Sequence, residues 1–419
     1  MQIINDSIRL HYIPMKKLKT STVGIYIHSQ LSKETASMNA VLPGVLKRGC
    51  QLCKNRKEVE DYLDNLYGAD LKKGCFKKGE DQIICFFVET ITEKYVPGNE
   101  ELFEKLLKLI MSVVFEPVTE DGGFVKEYVR QEKKNVIEHI ESVKNDKRSY
   151  AAKRCVSEMC EGTDYAVPSY GIVEDVEDID EKKLYEYYKK LIHGSKIDIY
   201  VSGECDEDKA FEIIKNSLPI GGYSSEKINF AGIVRNRGEI KNVEEKMDVT
   251  QGKLSMGFTT GIEGTSEDYF ALMVANSIFG GGAHSKLFNN VREKLSLCYY
   301  ASSSIDRYKT FLLVNSGIEF ENYQKAYDEI LKQLQDVKDG NISQLEYVSS
   351  INAIVNSLKS CFDDQYAMQS YYLSESILGT GISLEECIEK IKAVSIDDVV
   401  RVTSGIELDT VYFLKGVDC

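Results

Sequence analysis

Alternating apolar and polar residues predict a half-buried strand near the start of each half of the chain. The segment "TVGIYIHS" places Val23, Ile25 and Ile27 on one face, and the residues between and after them, Tyr26 and His28 among them, are expected to point outward. Far downstream, "KLSMGFTT" alternates in the same way. In both places a polar turn and a helix-like apolar stretch follow, "MNAVLPGVLKRG" in the first half and "DYFALMVANSIF" in the second.

The two halves also end on the same pair of elements. "DIDEKKLYEYYKKLI" predicts a helix with Asp180 as its N-cap, and "KIDIYVSG" predicts the strand after it. "VSIDDVVRVTSGI" predicts a second such helix, in which Ser395 and Asp398 have the spacing of a capping box. The strand "DTVYFLKG" follows it. The same order of elements therefore occurs twice along the chain.

This repetition predicts an internal duplication rather than a solenoid of short repeats. Strands followed by clustered amphipathic helices favour an α+β sandwich in each half. We expect two homologous domains, 1–220 and 246–419, joined by a linker over 221–245 that is rich in polar residues and glycine.

The composition is that of a folded globular protein and argues against nucleic acid and membrane as partners. The 419 residues are 43% hydrophobic and 28% charged, enough for two large domains. A formal net charge of −14 argues against a nucleic-acid-binding protein, for which a basic face is expected. No stretch approaches the eighteen apolar residues of a membrane span, and the N-terminal segment lacks the apolar core of a signal peptide. We expect the eleven cysteines to stay reduced in a cytoplasmic protein.

Three consecutive glycines, Gly280, Gly281 and Gly282, follow the predicted helix of the second half. Phosphate-binding loops follow a strand instead, and no nucleotide-binding glycine pattern is completed here. We expect Gly280 to cap the preceding helix in a left-handed conformation and its neighbours to let two backbones pass closely. Ser285 is then the predicted cap of the next helix, "KLFNNVREK".

An arginine and a tyrosine follow the glycines. Arg292 lies near the end of "KLFNNVREK", a helix whose buried stripe we expect to extend as far as Leu295. Tyr299 lies in the strand "LCYYASS", where alternation places it on the same face as Leu297 and Ala301. Taken alone, this segment favours a solvated helix arginine and a core tyrosine.

The longer segment "ANSIFGGGAHSKLFNNVREKLSLCYY" resembles the C-terminal half of the pitrilysin, or insulinase-like, zinc peptidase family. The resemblance extends over most of the chain and implies two homologous α+β domains, as in mitochondrial processing peptidase, that face each other across a chamber. It implies that Arg292 and Tyr299 hold the scissile region of a peptide and that the loop Gly280–Gly282 contacts substrate. Ser296 stands where the family usually has glycine, so we expect a slightly different turn there.

Active members of that family place His-x-x-Glu-His on a helix of the N-terminal half, where the histidines bind zinc and the glutamate activates water. The corresponding positions here are Ala40, Pro43 and Gly44, none of which can ligate a metal. Pro43 is also expected to bend or end its helix.

No other pair of histidines replaces the missing motif. The closest two of the five histidines, His11 and His28, are seventeen residues apart, so the chain contains no His-x-x-x-His. The family's third ligand is a glutamate on a later helix, and the similar segment "EKKNVIEHIE" offers Glu138 or His139 for that position. We therefore expect no zinc site in this chain.

Members of the family that lack zinc ligands commonly form one subunit of a heterodimer. The resemblance thus implies a non-metal subunit that presents Arg292 and Tyr299 to a peptide or small protein, with zinc held by a His-x-x-Glu-His homologue. Alone, the chain could form a homodimer. The alternative is a non-catalytic scaffold or peptide-binding protein derived from the same fold. The chain is also similar to inactive homologues of Gram-positive bacteria, some named after modification of elongation factor P.

Overall fold

Apolar alternation in the sequence becomes two β-sheets in the computed structural model, which describes residues 2–97, 101–219, 222–225, 227–230 and 238–417. The strands of these residues are β1 (Gln2–Ile3), β2 (Ile8–Pro14), β3 (Thr20–Gln30), β4 (Asp70–Lys78), β5 (Asp81–Ile91), β6 (Thr119–Glu120), β7 (Gly123–Phe124), β8 (Ile197–Gly203), β9 (Lys241–Met247), β10 (Gly252–Thr259), β11 (Cys298–Asp306), β12 (Phe311–Ile318) and β13 (Glu407–Gly416).

The helices surround these strands. They are α1 (Lys33–Lys47), α2 (Arg56–Asp64), α3 (Leu102–Phe115), α4 (Lys126–Ser142), α5 (Lys147–Met159), α6 (Val173–Glu177), α7 (Glu181–Gly194), α8 (Glu207–Ser217), α9 (Asp268–Gly280), α10 (Tyr323–Lys338), α11 (Gln344–Ser360), α12 (Gln365–Leu378), α13 (Leu384–Ala393) and α14 (Ile396–Thr403), with a π-helix at Leu287–Lys294. No helix within the described ranges combines the length and the apolar character that crossing a membrane requires.

Both large sheets have the same strand order, which confirms the predicted duplication. The first runs β4-β5-β3-β8-β2-β1 and the second runs β11-β12-β10-β13-β9. In each, one pair is parallel, β2 with β8 and β9 with β13, and the other neighbouring strands are antiparallel. The architecture is therefore α+β, with one mixed sheet in each half, as the sequence predicted.

Helix caps also follow the sequence. The Asp180 carboxylate accepts hydrogen bonds from the backbone N–H groups of Lys182 and Lys183 at the start of α7. Ser395 and Asp398 form the predicted capping box of α14. These bonds satisfy N–H groups that a helix start otherwise leaves without a partner, which is why both helices begin at those residues.

Of the two effects expected of Pro43, a bend or an end of its helix, the end does not occur. The helix continues to Lys47 with Pro43 inside it. Val41, Leu42 and Val45 on both sides of the proline are buried in the hydrophobic core of the first sheet. The burial of these side chains offsets the backbone hydrogen bond that proline cannot donate.

The chain forms two compact units, and each includes a segment from the other half of the sequence. The first unit consists of Met1–Glu141, Val167–Phe230 and Phe362–Leu373, and the second consists of Ser142–Ala166, Ala231–Cys361 and Ser374–Cys419. The predicted boundaries at 220 and 246 follow the duplication along the chain. By sequence position, α5 belongs to the N-terminal domain and the first part of α12 to the C-terminal domain. In the structure, α5 belongs to the second unit and the first part of α12 belongs to the first unit.

The first part of α12 covers the face of β3 that was expected to point outward. Tyr26 and His28 are buried, so that expectation is wrong. Gln365 donates from Nε2 to the Thr20 carbonyl at 2.7 Å, and Gln369 accepts a hydrogen bond from the Tyr26 hydroxyl at 3.2 Å. Glutamine side chains can satisfy a polar sheet face, which explains why a face with strand-like polar alternation is nevertheless buried.

The predicted linker over 221–245 ends earlier than expected. Its last five residues belong to β9, which pairs in parallel with β13. β9 is an edge strand in which half-buried and exposed residues alternate, so its composition is as polar as that of a linker. Within the predicted linker, positions 221, 226 and 231–237 lie outside the described residues.

Candidate functional site

The glycine run adopts a conformation different from the one predicted. Gly280 is the last residue of α9, and none of Gly280, Gly281 and Gly282 is in the left-handed region. The Gly281 N–H donates to the Ser277 carbonyl at 3.3 Å and so extends the helical pattern. A Cβ at Gly280 would lie 2.6 Å from the backbone nitrogen of Ser303, so the glycine is needed for close approach of β11.

Side chains after the glycines hold the segment against its neighbours. The Ser285 hydroxyl accepts from the Phe288 N–H at 3.3 Å and so satisfies one N–H group at the start of this segment, although the N-cap position of the π-helix itself is Lys286. His284 Nε2 lies 3.1 Å from the Ser277 hydroxyl of α9, and burial lowers the pKa of His284. The Lys286 ammonium donates to the Asn341 carbonyl at 2.6 Å. The loop is therefore braced at three positions.

The predicted helix that carries Arg292 is a π-helix. Its Leu287 and Val291 side chains are buried as expected, but Leu295 is exposed. The Leu295 N–H donates to the Asn290 carbonyl, five residues earlier, because a π-helix has more residues per turn than an α-helix. This wider turn moves Leu295 out of the stripe that α-helical spacing predicted. Short π-helical stretches are frequent at functional sites.

Ser296 joins the π-helix to β11 in a left-handed conformation, with φ of 51°. The Leu297 N–H donates to the Val291 carbonyl at 3.0 Å and closes the helix end. Left-handed backbone favours glycine, since a Cβ is crowded by the following carbonyl. The turn therefore has the geometry for which a glycine is suited, although serine occupies it.

A β-bulge directs Tyr299 outward. Cys298 pairs with Ile318, but Tyr300 pairs with Gly317, so Tyr299 is an extra residue without a partner across the strands. Tyr299 is exposed, whereas Ala301 is buried. The prediction that both share one face is wrong, because a bulge breaks the period of two. Tyr299 is thus not a core aromatic residue.

Arg292 and Tyr299 line the same open pocket, which has a volume of about 400 Å³. The Arg292 guanidinium lies 4.7 Å from the Phe288 ring centroid, and its Nε is 3.5 Å from Oε1 of Glu293. The remaining lining residues are Ser296, Leu297, Cys298, Glu319 and Asn322. The glycine run does not line this pocket. Gly281 instead lines a separate groove formed by residues of α9 and α11.

The tyrosine hydroxyl has one clear partner in the pocket. Tyr299 donates to a carboxylate oxygen of Glu319, and this hydrogen bond, followed by the charge of Glu319, raises the pKa of Tyr299. The neighbouring Tyr300 ring lies 4.2 Å from the Arg148 guanidinium, and burial raises the pKa of Tyr300 to about 12. The two adjacent tyrosines therefore have different environments, and only Tyr299 faces the pocket.

The three positions that the resemblance assigns to the zinc motif are buried in α1. Ala40, Pro43 and Gly44 contribute no ligand. A Cβ at Gly44 would lie 2.6 Å from the carboxyl carbon of Glu132, which belongs to α4. A histidine at this position would have to displace that carboxylate.

Glu132 was not among the candidates from the sequence. Arg48, directly after α1, places Nε and Nη2 each 2.7 Å from Oε1 of Glu132, and the Lys73 ammonium of β4 lies 3.4 Å from Oε2. Burial would raise the pKa of the Glu132 carboxyl, but the charges of Lys73 and Arg48 hold it below its usual value. The buried carboxylate is therefore ionised and neutralised by two cations.

Glu138 and His139, the two alternatives from the sequence, lie elsewhere. Glu138 is 3.6 Å from Lys134 and is largely exposed, and the His139 ring packs 4.2 Å from the ring of Tyr170. A signal for Glu132 was present in the sequence. The buried residues of α4 are Val129, Glu132 and Val136, so this carboxylate occupies the apolar stripe at helical spacing.

These residues do not fit a zinc ion. Zinc needs several nitrogen, sulfur or oxygen ligands at one point, and the motif positions supply none. Glu132 alone is oriented toward them, and its charge is already compensated by Arg48 and Lys73. In the ranges that the structure describes, no group of three or more His, Cys, Asp and Glu residues is placed to hold a metal ion.

A second buried charge cluster lies on the α12-covered face of the first sheet. His28 Nδ1 is 2.5 Å from Asp81 and its Nε2 is 3.1 Å from Asp198, which also binds Arg9 at 2.9 Å and His11 at 2.8 Å. Burial lowers the pKa of His28, but Asp81 and Asp198 outweigh it and raise the pKa to about 9. This is an ion-pair network of a protonated histidine.

Known proteins are similar to this chain in sequence and in fold. The family described as "Peptidase M16 inactive domain" matches residues 178–354. A Bacillus subtilis (strain 168) protein called "Probable inactive metalloprotease YmfF" is 35% identical over 417 residues, which cover 97% of this chain and 96% of that protein.

Two further comparisons extend this result. Another protein of the same strain, "Uncharacterized zinc protease YmxG", is 21% identical over 389 residues, 91% of this chain and 89% of that protein. The crystal structure of a conserved protein from Enterococcus faecalis V583 matches with a TM-score of 0.90 and 30% identity, and covers 98% of this chain and 96% of that one.

Proposed function

The chain belongs to the peptidase M16 family as an inactive homologue, and we propose that it is the non-metal subunit of a heterodimeric peptidase. In this proposal it presents Arg292 and Tyr299 to a peptide or small protein in a chamber shared with a His-x-x-Glu-His homologue. One combination of features supports it. The metal position is closed by Glu132 and its cations, whereas a π-helix and a β-bulge bring Arg292 and Tyr299 into one open pocket.

Arg292 and Tyr299 provide the donors that a peptide carbonyl requires. A guanidinium carries five N–H donors and a permanent charge, and a phenol carries one O–H donor. Held at one pocket, they can orient the peptide and stabilise negative charge on its carbonyl oxygen. Zinc in the partner would polarise that carbonyl and supply the attacking water.

The relatives are compatible with a divided arrangement. YmfF and YmxG come from the same Bacillus subtilis strain, and their names describe one as inactive and the other as a zinc protease. An inactive and a zinc-type homologue therefore occur together in one organism. We extend this arrangement to the present chain, whose partner would be a zinc-type homologue encoded in the same genome.

Peptide cleavage by a mixture of the chain with that homologue tests the proposal. We expect Arg292→Ala and Tyr299→Phe each to slow cleavage by roughly 100-fold, as is typical when one oxyanion donor is lost. Arg401→Ala and Tyr95→Phe are matched controls, because both side chains are exposed and lie outside the pocket. They should leave the rate unchanged.

The opposite result would support the alternative drawn from the sequence. If neither pocket variant slows the mixture by more than a few-fold, Arg292 and Tyr299 take no part in cleavage. Retained binding of the homologue or of peptide by those variants would then favour a scaffold or peptide-binding protein.

A further inference from the structure

We propose that Glu319 selects peptides that carry a cationic group, a lysine or arginine side chain or a free α-amino group, beside the carbonyl held by Tyr299. This inference rests on the proposed function and names its substrate class. It starts from the hydrogen bond between Tyr299 and Glu319 in the pocket.

That hydrogen bond occupies the tyrosine. A phenol has a single O–H donor, so Tyr299 cannot donate to a peptide carbonyl while it donates to Glu319. Tyr299 becomes available only when another donor takes its place at the carboxylate. The pocket therefore contains a competition between Tyr299 and any group that binds Glu319.

Glu319 is suited to bind a cation from outside the chain. It follows directly on β12 and is half-buried, and in the part of the chain that the structure describes it forms no ion pair. The other charged pair of the pocket is already matched, since Arg292 lies beside Glu293. Glu319 is thus a carboxylate whose present partner is a neutral hydroxyl.

Lys253 is the nearby cation that could compete. Its ammonium donates to Gln251 at 3.3 Å, and burial lowers the pKa of Lys253 while the charge of Glu319 opposes that effect. The two charges therefore interact without direct contact. A lysine or arginine of a bound peptide can approach more closely, because Glu319 and Tyr299 both line the open pocket of about 400 Å³.

The consequence is a coupling between recognition and catalysis. Both the phenol and a cation can donate to the Glu319 carboxylate, but an ammonium or guanidinium also brings a positive charge, and this added attraction favours displacement of the phenol from Glu319. The released hydroxyl then faces the peptide that delivered the cation. A peptide without a cation binds less tightly, and the Tyr299 hydroxyl then keeps its hydrogen bond to Glu319.

Binding to the isolated chain tests this inference without the partner. The probes are three fluorescein-labelled peptides of alternating alanine and serine, twelve residues long, with three positions changed to Lys, Gln or Glu. We expect fluorescence anisotropy to show that the Lys peptide binds about tenfold tighter than the Gln peptide, as one charge-assisted hydrogen bond predicts. The Glu peptide should bind most weakly.

Glu319→Gln should abolish the difference between the Lys and Gln peptides, whereas Glu321→Gln should keep it. Glu321 is a matched control because it is an exposed glutamate two residues away and does not line the pocket. Tyr299→Phe should bind the Lys peptide two- to threefold tighter than the unchanged chain, because the competing O–H donor is gone.

Three results would overturn the inference: equal binding of the three peptides, preference for the Glu peptide, or a lysine preference that survives in Glu319→Gln. Each leaves the cleavage test of Arg292 and Tyr299 unaffected. Failure of that cleavage test, in turn, would reject the proposed function without changing the binding result, so the two ideas fail separately.

Discussion

The family's zinc-motif positions in the first unit and the Arg292 pocket of the second differ in how their charges are satisfied. At the metal position, Glu132 is buried and held by Arg48 and Lys73. At the pocket, Tyr299 is exposed and its hydroxyl donates to the half-buried Glu319. The buried carboxylate beside the motif positions is thus compensated by two neighbouring cations, whereas Arg292 and Tyr299 make few contacts that hold the fold together. This difference is what the proposed role of Arg292 and Tyr299 in peptide binding would require.

The largest effect should come from removing the compensated carboxylate. We expect Glu132→Ala to lower the free energy of unfolding by about 3–5 kcal/mol, because Arg48 would be left as an uncompensated, largely buried cation. Urea unfolding measures the change. Glu138→Ala, an exposed glutamate on the same helix, should change it by less than about 0.5 kcal/mol. Equal effects of the two variants would show that the ion-pair cluster is not a structural replacement.

The next effect concerns the buried ion-pair cluster around His28, a second site in the first unit where buried charges compensate one another. The pKa of His28 is raised from an ordinary 6.5 to about 9, so protonation of His28 favours the folded state. The stabilisation, about 3 kcal/mol, is complete below pH 6.5 and is lost as pH rises to 9.

Urea unfolding of the unchanged chain and of His28→Gln between pH 6 and 9 measures this dependence. The difference in stability between the two proteins should shrink as pH rises. His139→Gln, whose ring packs on Tyr170, serves as a histidine control without that trend. A difference that stays constant or grows with pH would show that His28 is buried in its neutral form.

A smaller effect is expected at the turn before Tyr299. Ser296→Gly should raise the stability of the chain by about 0.5–1 kcal/mol, because φ of 51° strains a residue with a Cβ. Ser304→Gly, in exposed β11 backbone without that strain, should lower stability by a similar amount. Thermal unfolding compares the two. A loss of stability in Ser296→Gly would mean that the serine side chain contributes more than the strain costs.

The smallest effect on stability is expected for the two pocket residues. Arg292→Ala and Tyr299→Phe should each change the free energy of unfolding by less than about 0.5 kcal/mol, since both side chains are exposed. Urea unfolding checks this beside Glu132→Ala. A loss above about 2 kcal/mol in either variant would show that the pocket is held together by the pair, and slower cleavage could then reflect misfolding.

Much of the fold could be predicted from local patterns. The strands at "TVGIYIHS" and "KLSMGFTT", the Asp180 and Ser395 caps and the repeated order of elements depend on residues close in sequence, and the structure contains them all. The exchange of α5 and α12 between units, the strand character of β9 and the burial of Tyr26 depend on tertiary contacts. No local periodicity encodes these.

The candidate site divides in the same way. The sequence placed Arg292 and Tyr299 together through family resemblance, and the structure shows both at one pocket. The sequence could not reveal that a β-bulge and a π-helix bring Arg292 and Tyr299 to this pocket, because both features break the regular periods of strands and α-helices. Glu132 was missed for another reason. The family resemblance offered Glu138 or His139 for the third ligand, although the buried stripe of α4 passes through Glu132.

Zinc content tests the central claim, that this chain has no metal of its own and acts with one held by a partner. The measurement is zinc per protein by mass spectrometry after dialysis against zinc and gel filtration, for the chain alone and mixed with its zinc-type homologue. We expect less than about 0.1 zinc per isolated chain and about one zinc per co-eluting pair, as for one catalytic site. One tightly held zinc per isolated chain would contradict it.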